Sequence, residues 1–237
     1  MAAKRLQVKQ FRYATDNLGY IIYGQKSAVA VDGGAVDAIL EFVDAQRLQL
    51  EVVTQTHAHP DHICGHQALI ERTGARHLDS EALSKSNELA LDGQKIHIYP
   101  TPGHTEDSVV FYTADMLLTG DTLFNGNVGS CFSGGMQQFL ESIKRIMDFP
   151  DQTRIYAGHD YVTYSMQVAK LIEPLNSEID RFLENYDPNC VCSSLEQEHN
   201  INPFLRFNVP AMIAILKAKA LPHATEYERW TSVMSLP

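Results

Sequence analysis

The chain has 237 residues, 44% of them hydrophobic, and a formal net charge of −10. That length suits one large domain or a main domain with a small appendage. The acidic balance argues against nucleic acid as a partner, because phosphate binding draws on Lys and Arg. No apolar run approaches the roughly 18 residues of a membrane span.

The basic start of the chain lacks the apolar stretch of an export signal, so a cytoplasmic location is expected. Cys64, Cys131, Cys190 and Cys192 form no paired Cys-x-x-Cys array and are expected to be free thiols. Cys64 is expected in the core, on a helix. A disulfide between Cys190 and Cys192 would be strained. Leu18 to Tyr23 and Ser27 to Asp32 read as two strands around a Gly24-Gln25 turn. A helix is expected over 35–48, with Ile39, Phe42 and Val43 at helical spacing. Residues 51–56 form a strand, and a helix follows over 63–72, closed by Gly74.

Strands are next expected at 95–99, 108–112 and 116–119. A helix over 135–149 turns Phe139, Leu140, Ile143, Ile146 and Met147 inward. A further strand covers 153–157. From about Tyr161 the chain turns helical, with helices over 161–172, 174–186, 193–198, 209–220 and 225–233. Ser193-Ser194-Leu195-Glu196 reads as a capping box. The division expected is a metal-binding domain at 1–165 and a helical substrate-binding subdomain at 166–237.

Thr56-His57-Ala58-His59-Pro60-Asp61-His62 places four metal-capable side chains within six residues. His104 follows in Thr-Pro-Gly-His, Asp121 in Thr-Gly-Asp-Thr and His159 in Ala-Gly-His-Asp. Each candidate falls just after an expected strand, where loops over a rigid sheet usually carry chemistry. Side chains on extended backbone alternate with period two, so His57 and His59 can grip one ion while Asp61 and His62 face another. Asp121 has two oxygens to offer two ions. An all-nitrogen and oxygen set suits zinc, with iron and manganese as alternatives. Two divalent ions sharing a carboxylate point to metal-assisted hydrolysis. Asp32, in Val-Asp-Gly-Gly, is either a turn residue or a partner that orients ligands; Asp16-Asn17 is a weaker candidate.

His-x-His-x-Asp-His followed by separate His, Asp and His resembles the metallo-β-lactamase superfamily. That resemblance implies a mixed α/β fold, a four-layer αββα sandwich, here with a C-terminal helical subdomain. Thr119-Gly120-Asp121-Thr122-Leu123-Phe124, Gly158-His159-Asp160-Tyr161 and Asn202-Pro203-Phe204-Leu205-Arg206 resemble glyoxalase II, the hydroxyacylglutathione hydrolases. By that resemblance His57, His59 and His104 hold one ion, Asp61, His62 and His159 hold the other, and Asp121 bridges them. The implied activity is hydrolysis of a small-molecule thioester, with Asp61 and Asp121 as the catalytic carboxylates that position the attacking water.

Tyr161 and Arg206 match family positions associated with the thiol carrier. Ser130 stands where the family has a basic residue and Phe132 where it has Tyr. Those two departures leave the carrier open between glutathione, another low-molecular-weight thiol and coenzyme A. The competing readings are a mononuclear iron enzyme resembling persulfide dioxygenases, and another hydrolase on the fold such as a lactonase. The residues carry no signal for an oligomeric state.

Overall fold

A computed structural model of the chain describes residues 5–133 and 135–236. The start of the basic segment, residues 1–4, lies outside the described residues. In chain order the elements of the first half are β1 (Gln7–Tyr13), β2 (Asn17–Tyr23), β3 (Ser27–Val31), α1 (Val36–Ala45), β4 (Gln49–Thr54), α2 (Pro60–Ile63), α3 (His66–Thr73), β5 (Arg76–His77), α4 (Ser80–Ser86), β6 (Glu88–Leu91) and β7 (Gln94–Pro100). Next come β8 (Val109–Thr113), β9 (Met116–Gly120), β10 (Leu123–Phe124), β11 (Asn127–Val128), α5 (Met136–Met147) and β12 (Arg154–Ala157). The last part holds α6 (Val162–Ile172), α7 (Ser177–Glu184), β13 (Ser193–Ser194), α8 (Leu195–Ile201), α9 (Pro210–Ala218) and α10 (Glu226–Met234).

Two sheets dominate, one ordered β1-β2-β3-β4-β5 and the other β13-β12-β9-β8-β7-β6. The alternation of side chains along each strand decides the layers. On β2, Leu18, Tyr20 and Ile22 join Ile96, Ile98 and Phe111 of the second sheet in the core between the sheets. Ile21 points the other way, to Ile39 and Val43 of α1 and Leu69 of α3. On the second sheet Phe111 and Leu118 face inward, whereas Val110 and Leu117 face out to Phe139, Ile143 and Trp230. The result is the expected four layers, helices outside and sheets within. The helical tail is joined to this body: β13 pairs with β12, and Phe204, Phe207 and Trp230 share a core with Ile155 and Phe139. Position 165 lies inside α6.

Three local expectations are corrected. The helix expected over 63–72 is broken into α2 and α3 at Cys64 and Gly65, where Gly65 lies so close to the Gly33 carbonyl that a Cβ would overlap it. Cys64 is therefore exposed rather than core, its thiol donating to the Asp61 carbonyl at 3.2 Å. The capping box lies one residue later, between Ser194 and Gln197. Ser194→Ala is expected to cost about 1 kcal/mol, seen as a fall of roughly 2–4 °C in melting temperature. Cys190 and Cys192 are free.

Candidate metal centre

Two parallel strand pairs aim the candidate ligands at one place. β3 runs parallel to β4, and β9 parallel to β12, so their carboxyl ends emerge side by side. Asp32 and the Thr56-to-His62 segment leave the first pair; Asp121 and His159 leave the second. Cross-links hold the two sheets together at this end: Val109 N–H donates to the Thr56 carbonyl (2.9 Å) and Leu18 N–H to the Gly158 carbonyl (2.8 Å). Gly158 has to be glycine, since a Cβ there would overlap the Asp121 carboxylate. Gly120 has a φ of +50° and would meet the Thr56 side chain.

The seven expected ligands converge. His57, His59, His104 and Asp121 form one group and Asp61, His62 and His159 another, the donor atoms of each within 4.8 Å of one another. In the first group His57 Nε2 lies 2.9 Å and His104 Nε2 3.1 Å from His59 Nδ1. In the second, His62 Nε2 lies 3.3 Å from His159 Nε2, and His159 Nε2 lies 3.4 Å from Asp61 Oδ2. Asp121 faces both groups: Oδ2 is 3.5 Å from His104 Nε2 and 3.4 Å from His159 Nε2, and Oδ1 is 3.4 Å from His62 Nε2.

The outer nitrogens show why these rings face inward. His62 Nδ1–H donates to Asp32 Oδ2 (3.0 Å), His159 Nδ1–H to Asp16 Oδ1 (2.9 Å) and His104 Nδ1–H to the Ser130 carbonyl (3.0 Å). His57 Nδ1–H donates to Thr56 Oγ1 (3.1 Å), which in turn donates to Asp32 Oδ2 (2.8 Å). An imidazole whose outer nitrogen carries the proton presents a lone pair on the inner one, which is how metal-binding histidines are oriented. Asn17 Nδ2 donates to Asp61 Oδ2 at 2.9 Å and fixes that half-exposed carboxylate.

These residues fit metal ions. Donor separations of 2.9–3.5 Å bracket the about 3.3 Å edge of a tetrahedron with zinc–nitrogen bonds of 2.0–2.1 Å. Asp121 Oδ1 is buried without a hydrogen-bond partner among the described residues, an orphan that native interiors rarely tolerate unless something else satisfies it.

The charges of the metal-free site agree. Burial and the neighbouring His62 push His57 down to about 4. Burial acts downward on His62 too, but Asp32 and Asp121 override it and push this group up to about 11. Burial opposes ionisation of Asp121, yet His159 and His62 hold its carboxyl well below the usual carboxylate range. Without metal, His62 thus carries the positive charge between Asp32 and Asp121.

The expected substrate residues separate. The Tyr161 ring stacks on His159 (4.9 Å between centroids, 6° between planes) and touches Phe124 (5.0 Å). The exposed Phe132 ring stands edge-on to His104 (5.2 Å) and His59 (6.0 Å). Ser130 sits beside His104 through its carbonyl. Arg206 is elsewhere: it pairs with Glu173 (2.9 and 3.2 Å), donates to the His199 carbonyl and lines a separate groove with Pro174 and Leu175. Thr56 and the Ser130 carbonyl carry no orienting signal in the sequence, whereas Asp16 and Asn17, weaker candidates there, contact His159 and Asp61. Asp32 sits at a positive φ and accepts from His62 and Thr56.

Residues 17–78 and 79–159 match the family model of the metallo-beta-lactamase superfamily. The chain is 32% identical over 201 residues to a hydroxyacylglutathione hydrolase of Idiomarina loihiensis, covering 78% of this chain and 79% of that one. It is 31% identical over 206 residues to another from Chromohalobacter salexigens, covering 79% and 81%. Among solved structures it resembles ETHE1 from Myxococcus xanthus (TM-score 0.67, 23% identity, 98% and 92% covered). It also resembles BLEG-1 B3 metallo-beta-lactamase (TM-score 0.63, 21% identity, 84% and 99% covered); at such identities both likenesses concern the fold. Two packed sheets, ligands gathered at their strand ends and these matches together show that the chain belongs to the metallo-beta-lactamase superfamily.

Proposed function

We propose that this chain is a metal-dependent thioester hydrolase of the glyoxalase II type, with two divalent ions, zinc foremost and iron or manganese as alternatives. The observation that carries the reading is the pair of donor groups around Asp121, found in a chain related to hydroxyacylglutathione hydrolases. His57, His59 and His104 would hold one ion, Asp61, His62 and His159 the other, and Asp121 both. Ions bound there would supply Lewis acidity, acidifying water and stabilising charge on the acyl oxygen.

The protein's own part is placement. Asp61 and Asp121 are acceptors on the two sides of the reaction centre, and their fixed carboxylates orient the attacking water. Tyr161, Ser130 and Phe132 border the space where the thioester would lie. Arg206, committed to Glu173, is left out of this contact set. Residues 166–237 act as the substrate-side subdomain through Phe204, which lines the cavity beside Tyr161.

Elemental analysis with a panel of small thioesters tests the reading. Two equivalents of metal and thioester cleavage, lost on chelation and restored by zinc, are expected. A single iron with oxygen uptake on a persulfide would replace this reading with the dioxygenase. Two ions with lactone but no thioester cleavage would favour a lactonase.

A further inference from the structure

A cavity of about 280 Å³ opens beside the metal centre. Phe124, Val168 and Phe204 supply apolar wall, and Asn127, Ser130, Tyr161 and Tyr164 supply polar groups. It adjoins the centre on two sides, through Tyr161 stacked on His159 and through Ser130 bonded to His104.

Its chemistry is uniform in one respect: no charged side chain is among the described residues that line it. On the helical part Arg206 pairs with Glu173 and Lys170 with Asp180. The chain as a whole is acidic. An ionised carboxylate placed here would give up hydration without gaining a charge-assisted hydrogen bond. Neutral hydrogen-bonding groups, in contrast, stand ready. Among the described residues, the hydroxyls of Tyr161, Tyr164 and Ser130 and the Asn127 side-chain N–H₂ have no protein partner, while Asn127 Oδ1 accepts from the Val128 N–H. Apolar walls with a few neutral donors and acceptors suit a ligand of like composition.

We infer that this cavity receives an uncharged, amide-bearing thiol arm of the pantetheine kind, rather than an anionic peptide thiol. The inference rests on the thioesterase reading for the cavity's role. The thiol arm is the larger half of such a substrate and takes this cavity; the acyl end lies toward Phe132, a ring 69% exposed beside His104 and His59.

Binding of uncleavable thioethers tests the inference without catalysis. By calorimetry on the metal-loaded protein, S-methylpantetheine should bind at least tenfold more tightly than S-methylglutathione. Ser130→Lys should narrow that ratio at least fivefold by adding the missing cation. In turnover, kcat/KM for one acyl group should favour pantetheine over glutathione by a similar factor. Equal or tighter binding of S-methylglutathione, or no millimolar binding of either thioether, would overturn the inference. Failure to cleave either ester would count against the thioesterase reading itself, while the thioether ratio would still decide what the cavity prefers.

Discussion

Asp121→Ala should abolish metal retention and thioester hydrolysis together, lowering kcat/KM by about 10³-fold or more while the domain stays folded. The size follows from the several kcal/mol of charge stabilisation that bound ions contribute, at 1.36 kcal/mol per tenfold. The Asp121 carboxylate lies within 3.5 Å of candidate ligands from both groups, His104 on one side and His62 and His159 on the other. Removing it takes a donor from each ion. The fold should tolerate the loss, because the remaining imidazoles keep their outer partners: His62 still has Asp32 and His159 still has Asp16. The check is metal content by elemental analysis, turnover, and melting temperature with and without zinc. Wild type should gain stability from added metal by linkage, and the variant should gain less. An alanine variant that retains two equivalents of metal and full turnover would remove Asp121 from the centre.

Much of the candidate site was legible because its candidate ligands are local in sequence or punctuated by turn residues. His57, His59, Asp61 and His62 are close neighbours, and His104, Asp121 and His159 each follow a glycine at a strand end. The layers were legible where alternation is strong, as in β2, whose Leu18, Tyr20 and Ile22 face one sheet and Ile21 the other layer.

Elements that depend on distant approach were not. At the break Gly65 packs against the Gly33 backbone with no room for a Cβ, a contact that the pattern of 63–72 alone does not carry. β1 was not legible because only Phe11 of its seven residues is buried, which leaves little alternation to read. β5, β10 and β11 have two residues each and carry no periodicity. Asp16 was legible only as a weak candidate, because the histidine it contacts lies 143 positions away. Arg206 shows the opposite limit: its motif was plain, but only the fold reveals that Glu173 occupies its guanidinium.

Asp32 carries the second large expectation. It is fully buried and sits at a φ of +52°, a backbone region that a non-glycine residue enters at some cost. Its carboxylate accepts from Thr56 N–H (2.7 Å), Thr56 Oγ1–H (2.8 Å) and His62 Nδ1–H (3.0 Å). Through Thr56 it also steadies His57, so one acid orients a ligand of each group. Asp32→Ala would leave these donors buried and unpaired, at a cost of about 3–5 kcal/mol, and would weaken metal affinity about 10–100-fold. Asp32→Asn should fall between, since its amide can accept from Thr56 but offers His62 less.

The stability loss has a pH signature in the metal-free protein. Burial alone would lower His62, but Asp32 and Asp121 raise it to about 11. A raised folded value means that the contribution is full below the ordinary histidine value and is lost as pH rises through the folded one. Urea unfolding should therefore find Asp32→Ala more costly at pH 6 than at pH 10. With zinc bound, His62 is neutral at both, and the pH dependence of the difference should largely vanish. A cost that is the same at both pH values without metal would show that Asp32 acts on the Thr56 backbone alone and not through His62.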